Sequence, residues 1–168
     1  VIGALGGFGV AIVVDRGGEE PSPCEGKAFV SRAFAYCLDT PADWESSPAD
    51  QEPSGVDAHR AGLDDTVMYV EAVRLADGLD LQGFADSMRV SDTMSGYAVT
   101  DPEPGTLGGV PSLEWDAVRA VAGDEIVVRE IVAVREDVAW RLQITDTGST
   151  GAPRLYEVRR MLDTWRFA

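Results

Sequence analysis

Apolar and polar positions alternate most clearly over residues 125–148. Val138, Trp140, Leu142 and Ile144 take turns with Ala139, Arg141, Gln143 and Thr145, the period-2 pattern of a strand with one apolar and one more polar face. A Val- and Ile-rich run precedes this arm, and Glu136-Asp137 separates the two, so the segment predicts a long β-hairpin. Residues 67–75 predict a second strand, apolar on both faces over much of its length, as suits a strand covered on two sides. Shorter strand patterns lie at 34–38, 97–100 and 113–121. In the last of these Leu113, Trp115, Ala117 and Val121 share a face, with Arg119 the exception. Two helices are expected. One is capped by Asp80 and carries the stripe Leu81, Phe84, Ala85 and Met88. The other starts at Pro153, keeps Leu155, Val158 and Leu162 on one side, and runs into Trp165-Arg166-Phe167. Strands, helix, strands, hairpin and helix in that order predict an α+β fold around an antiparallel sheet.

Residues 1–14 are uncharged, Gly-rich and apolar, and the chain starts without Met. A transmembrane helix needs about 20 such residues. The run therefore reads as part of a truncated transmembrane, signal-anchor or signal-peptide segment, against the alternative of a buried Gly-rich strand or helix. Residues 15–32 form a linker, polar at its start, that contains the first cysteine. The folded domain is expected over 33–168. The acidic stretch after the apolar run belongs on the outer side of a membrane, and Cys24, preceded by Pro21-Ser22-Pro23, lacks the small-residue pattern of a lipoprotein signal.

Composition narrows the partners. The 168 residues carry a formal net charge of −15, and Lys27 is the sole lysine, which excludes the clustered cations that nucleic acid needs. Asn is absent, a usage that fits a high-G+C bacterial genome, although low Lys with high acid also suits a halophile. Cys24 and Cys37 have two readings. In an oxidising compartment they close a short loop worth about 3 kcal/mol; otherwise they are separate buried thiols. The apolar N-terminal run favours an extracytoplasmic domain, and with it the disulfide.

The assembled features resemble the Mog1/PsbP-like superfamily. The pieces are Tyr36-x-x-Asp-Thr-Pro-x-x-Trp44, the strand at 67–75 followed by Leu81-x-x-Phe84, and Gly108-Gly109-Val110-Pro111 before a strand. The long hairpin and a close on Asp163-Thr164-Trp165-Arg166-Phe167 complete them. The resemblance covers roughly residues 33–168. It implies an α/β/α sandwich, with the sheet flanked by a helix on each face. It also implies non-catalytic binding to other proteins or ligands, and it carries over no active site and no cofactor.

Individual residues add little chemistry. Asp146-Thr147-Gly148-Ser149 has the letters of the aspartic-protease turn, which works as a carboxylate pair, but the sequence holds no second Asp-Thr-Gly. A turn from strand to helix is the expectation, and a hydrolase using Asp146 is the remote alternative. His59, the single histidine, is expected at the surface or a strand edge. Asp64-Asp65 and Asp77-x-x-Asp80 lack the ligand spacing of a Ca²⁺ loop and read as caps and turns. The four Trp are expected as core pins. The functional expectation is a non-enzymatic extracytoplasmic binding or accessory module of a bacterial envelope, attached to the membrane through its N-terminal segment. Its partner would be an envelope protein, or a hydrophobic ligand carried between sheet and helix.

Overall fold

A computed structural model describes residues 22–49, 55–61, 66–76, 78–122, 124–146 and 154–168. Residues 1–14, Asp64-Asp65, Asp77, Thr147-Gly148-Ser149 and Pro153 lie outside the described residues. The expected hairpin forms β9 (Asp124–Arg135) and β10 (Val138–Asp146), with Val138 paired to Arg135 and Asp146 to Val127. Glu136 turns the chain at φ 59°. On the outer edge of β10 runs β5 (Thr66–Arg74), in register from Val138↔Arg74 to Asp146↔Thr66. β8 (Val110–Val121) flanks β9.

The sheet continues past β5 through β4 (Asp57–Ala61) to β3 (Trp44–Ser47). Past β8 it ends in β6 (Ala98–Val99) and β7 (Glu103–Leu107), both paired to β8. All of these pairings are antiparallel, in the order β3-β4-β5-β10-β9-β8-β6 with β7 also on β8. A smaller antiparallel sheet joins β1 (Phe29–Ser31), β2 (Tyr36–Leu38) and β11 (Arg166–Phe167). Two helices complete the described residues, α1 (Leu81–Met94) and α2 (Leu155–Asp163). The α+β class with an antiparallel sheet is thus as the alternation predicts.

Two apolar clusters pack against the hairpin, and strand alternation separates them. Trp140, Leu142 and Ile144 of β10 and Ile131 and Ala133 of β9 join Val158 and Met161 of α2, together with Tyr36, Leu38, Trp165 and Phe167. Ala139 and Val132, the alternate positions, join Trp115 and the α1 residues Phe84 and Ala85. Tyr36 and Trp165 stack face to face, ring centroids 4.0 Å apart. All four Trp are buried, as expected of core pins. Gly108 and Gly109 turn β7 into β8 with φ of 56° and 85°, the left-handed pair that a two-residue hairpin needs. A Cβ on Gly108 would meet Trp165 Cδ1 at 2.7 Å.

Several expectations are corrected. Residues 45–47 and Asp57–Ala61, where the sequence shows no apolar alternation, belong to strands β3 and β4. Val121 keeps the face of Trp115 and Ala117 but lies beyond the packed part of that face, since β8 runs on and leaves it 40% exposed. Strand β1 precedes residue 33, so the linker range already contains folded chain. Asp80 does cap α1, its Oδ1 accepting the Gly83 N–H at 2.9 Å.

Candidate functional site

Helix α2 is held along one flank and open along the other. Trp44 donates its indole N–H to Glu157 Oε2 at 2.7 Å, and the Asp39 N–H donates to Thr164 Oγ1 at 2.8 Å. These bonds tie both ends of the helix to the segment leading from β2 into β3. Towards β7 no comparable tie exists among the described residues, and a groove of about 620 Å³ opens between α2 and strands β7 to β10. That volume lies in the range of small-molecule sites.

Register explains the lining. Directly paired residues in an antiparallel sheet share a face. Glu103 pairs with Glu114, Glu114 with Ile131, and Ile131 with Leu142. One residue-pair further along, Asp116 pairs with Arg129, and Arg129 with Ile144. The floor is apolar: Ile131, Ile144 and Val158 are at most 3% exposed. Leu155 and Tyr156 stand at the mouth, 38% and 72% exposed. Arg129 binds Asp116 through Nε at 2.9 Å and Nη2 at 3.1 Å. That bond raises the guanidinium pKa, with Glu114 and Glu103 adding to the effect. The carboxylates of Glu103 and Glu114 accept no hydrogen bond from a described residue.

A second polar group lies beneath α1. Arg141 donates to Glu130 from Nε and Nη2, both at 2.9 Å, and to Asp92 Oδ1 at 3.1 Å. Gln143 donates to Glu130 Oε1 at 2.7 Å, and the Trp115 indole to Asp92 Oδ2 at 3.1 Å. Burial pushes the Glu130 carboxyl above the usual carboxylate range, against the pull of Arg141 and Gln143. The cluster is closed on itself and offers no open position, so it anchors the helix.

The residues singled out by the sequence do not converge. Cys24 and Cys37 are bonded to each other, tying the chain before β1 to the buried strand β2. His59 is fully buried in β4, a correction to the surface or edge position expected from its polar neighbours. Ser46 Oγ lies 2.8 Å from Nδ1 and the Tyr36 hydroxyl 3.0 Å from Nε2, so both ring nitrogens are satisfied. Burial lowers the His59 pKa to about 4. Asp146 is the last residue of β10, paired with Thr66 and Val127. Among the described residues no group of His, Cys, Asp and Glu is arranged to hold a metal. No helix there is long and apolar enough to cross a membrane. The charged lining residues Glu103, Glu114 and Arg129 went unnoticed in the sequence because they are brought together across strands.

No family model matches the chain, and no curated protein does. Solved structures do. A protein from Bacteroides thetaiotaomicron superposes with TM-score 0.61 at 12% identity over 85% of this chain, which spans about half (48%) of that protein. Cyanobacterial PsbP (CyanoP) from Synechocystis gives TM-score 0.59 at 11% identity, covering 83% of this chain and 91% of that one. The fold is PsbP/Mog1-like. LpqN, involved in cell envelope biogenesis of Mycobacterium tuberculosis, gives TM-score 0.55 at 15% identity, covering 79% and 83%. At these identities the likeness concerns the PsbP/Mog1-like fold alone.

Proposed function

We propose that this PsbP/Mog1-like chain is a non-enzymatic binding or accessory module on the extracytoplasmic side of a bacterial cell envelope, with the groove beside α2 as its site. The observation that carries the reading is that groove: apolar at its floor, charged at its rim, and bordered by exposed Leu155 and Tyr156. The Cys24–Cys37 bond supports an oxidising compartment, and the fold shared with LpqN, a protein of envelope biogenesis, agrees with it. Residues 1–14 would supply the membrane attachment or the export signal. The distribution of the two helices between the two apolar clusters supports the α/β/α sandwich.

Within this reading a hydrophobic ligand is favoured over a protein partner, because the floor, formed by Ile131 and Ile144 of the sheet and Val158 of α2, is recessed between the two. Titration of the purified domain with the neutral fluorophore N-phenylnaphthylamine tests it. The expected result is one saturable site that Leu155→Trp, which narrows the mouth, weakens at least about tenfold. Equal binding by wild type and Leu155→Trp would remove the groove from consideration. The compartment is tested separately by counting thiols on protein recovered unreduced from producing cells: two titratable thiols would reject the extracytoplasmic assignment.

A further inference from the structure

The rim of the groove carries more acid than base, with Glu103, Glu114 and Asp163 set against Arg129 and Arg159. Glu103 and Glu114 are direct cross-strand partners on one sheet face, and like charges so placed destabilise a sheet. Neither carboxylate accepts a hydrogen bond from a described residue. The nearby cation, Arg129, is held by Asp116 in a two-point contact. Asp163 adds another acid to the lining, and Arg159 is the one further cation among the lining residues.

A second observation points to the same place. Ser112 is 2% exposed, and its Oγ has no hydrogen-bond partner. Ser112 Oγ and Glu114 Oε1 lie 2.9 and 2.5 Å from the point where a Cβ on Gly105 would stand, and Gly105 lines the groove. Any side chain at residue 105 would displace the carboxylate. The absence of one leaves an orphan hydroxyl and a carboxylate that accepts no hydrogen bond facing the same spot in the wall, a donor and acceptor set that suits an N–H-bearing cation.

We propose that the groove takes a single-chain cationic amphiphile, with a primary ammonium held at Glu114, Glu103 and Ser112 and the tail lying along Ile131, Ile144 and Leu162. The inference rests on the groove being a ligand site, as argued above, and adds the chemical class of the ligand. An anionic headgroup is disfavoured there by the same two carboxylates.

The test is calorimetric titration of the folded domain with decylammonium, decanol and decanoate, each below its micelle concentration. Decylammonium is expected to bind about tenfold tighter than either of the others. Glu114→Gln should bring the three to parity, with an unchanged circular dichroism spectrum confirming its fold. Gly105→Ala, which keeps every charge but moves the carboxylate, should weaken decylammonium severalfold and leave decanol unaffected. Decanol or decanoate binding as tightly as decylammonium would overturn the headgroup assignment while the groove reading survives. Failure of all three to bind would remove both. Binding to phosphatidylethanolamine vesicles without binding to decylammonium would overturn the single-chain assignment.

Discussion

The two sides of the β9–β10 hairpin solve the problem of holding a helix in opposite ways. On the α1 side Glu130, Arg141, Gln143 and Asp92 bond to one another, with Trp115 closing the group, and nothing is left for a ligand. On the α2 side the contact is aromatic and aliphatic packing, fixed by directional bonds at one flank and open at the other. Charge on the first side is internal and compensated. Charge on the second is at the rim and in excess. A face that spends its polar groups on itself acts as scaffold, and a face that leaves them unpaired beside an apolar floor is equipped to bind.

The largest effect expected from this contrast comes from the closed side. Arg141→Met strands the Glu130 carboxylate, 1% exposed, and Asp92 without their cation. Breaking a buried pair in this way costs about 3–5 kcal/mol, to be read from urea unfolding. The double variant Arg141→Met/Glu130→Met should recover much of that loss, because the uncompensated charge goes with the pair. A double variant as unstable as the single one would mean that packing, and not charge, holds α1.

His59 occupies the sealed end of the α2-side face, with Phe29 edge-on at 4.7 Å, Ser46 and Tyr36 on its nitrogens, and the Asp57 carboxylate beside Tyr36. Its native pKa, lowered by burial to about 4, lies below the unfolded value of about 6.5. Above both values the ring is neutral in either state and the full stability is present. As pH falls through 6.5 the unfolded chain takes up the proton first, so stability declines until the folded ring titrates near 4, by roughly 3 kcal/mol in all. His59→Gln should flatten this segment of the stability profile measured by urea unfolding between pH 7 and 4. An unchanged slope would assign the decline to other groups.

Legibility in the sequence followed burial on one face. The hairpin and α1 could be read because Val138, Trp140, Leu142 and Ile144 alternate strictly and because Asp80 and Phe84 hold cap and stripe positions. Strand β7 could not: Glu103-Pro104-Gly105-Thr106 is exposed or half-buried and carries the residues of a turn. Strand β4 was hidden for the opposite reason, since Asp57 and His59 are polar residues buried in company, a state visible only once Ala49, Ser46 and Tyr36 are brought to them. The candidate site was the least legible part. Glu103, Glu114 and Ile131 meet through register across three strands, and Leu155, which local periodicity assigned to the core stripe, stands at the groove mouth instead.

The smallest effect on stability is expected where the effect on binding is large. Tyr156 is 72% exposed at the groove mouth, and its ring meets the guanidinium of Arg160 on its own helix. Tyr156→Ala should therefore change unfolding free energy by no more than about 0.5 kcal/mol, while lowering the affinity for N-phenylnaphthylamine several-fold by removing apolar surface from the rim. Arg141→Met, examined at a urea concentration where it remains folded, should do the reverse and bind the fluorophore normally. If Tyr156→Ala destabilised the fold by more than about 1 kcal/mol, or if Arg141→Met abolished binding in its folded state, the division between a scaffold face and a binding face would fail. The two variants are informative as a pair, because each is the other's control: one removes a large aromatic ring that the fold does not use, the other a single charge on which it depends.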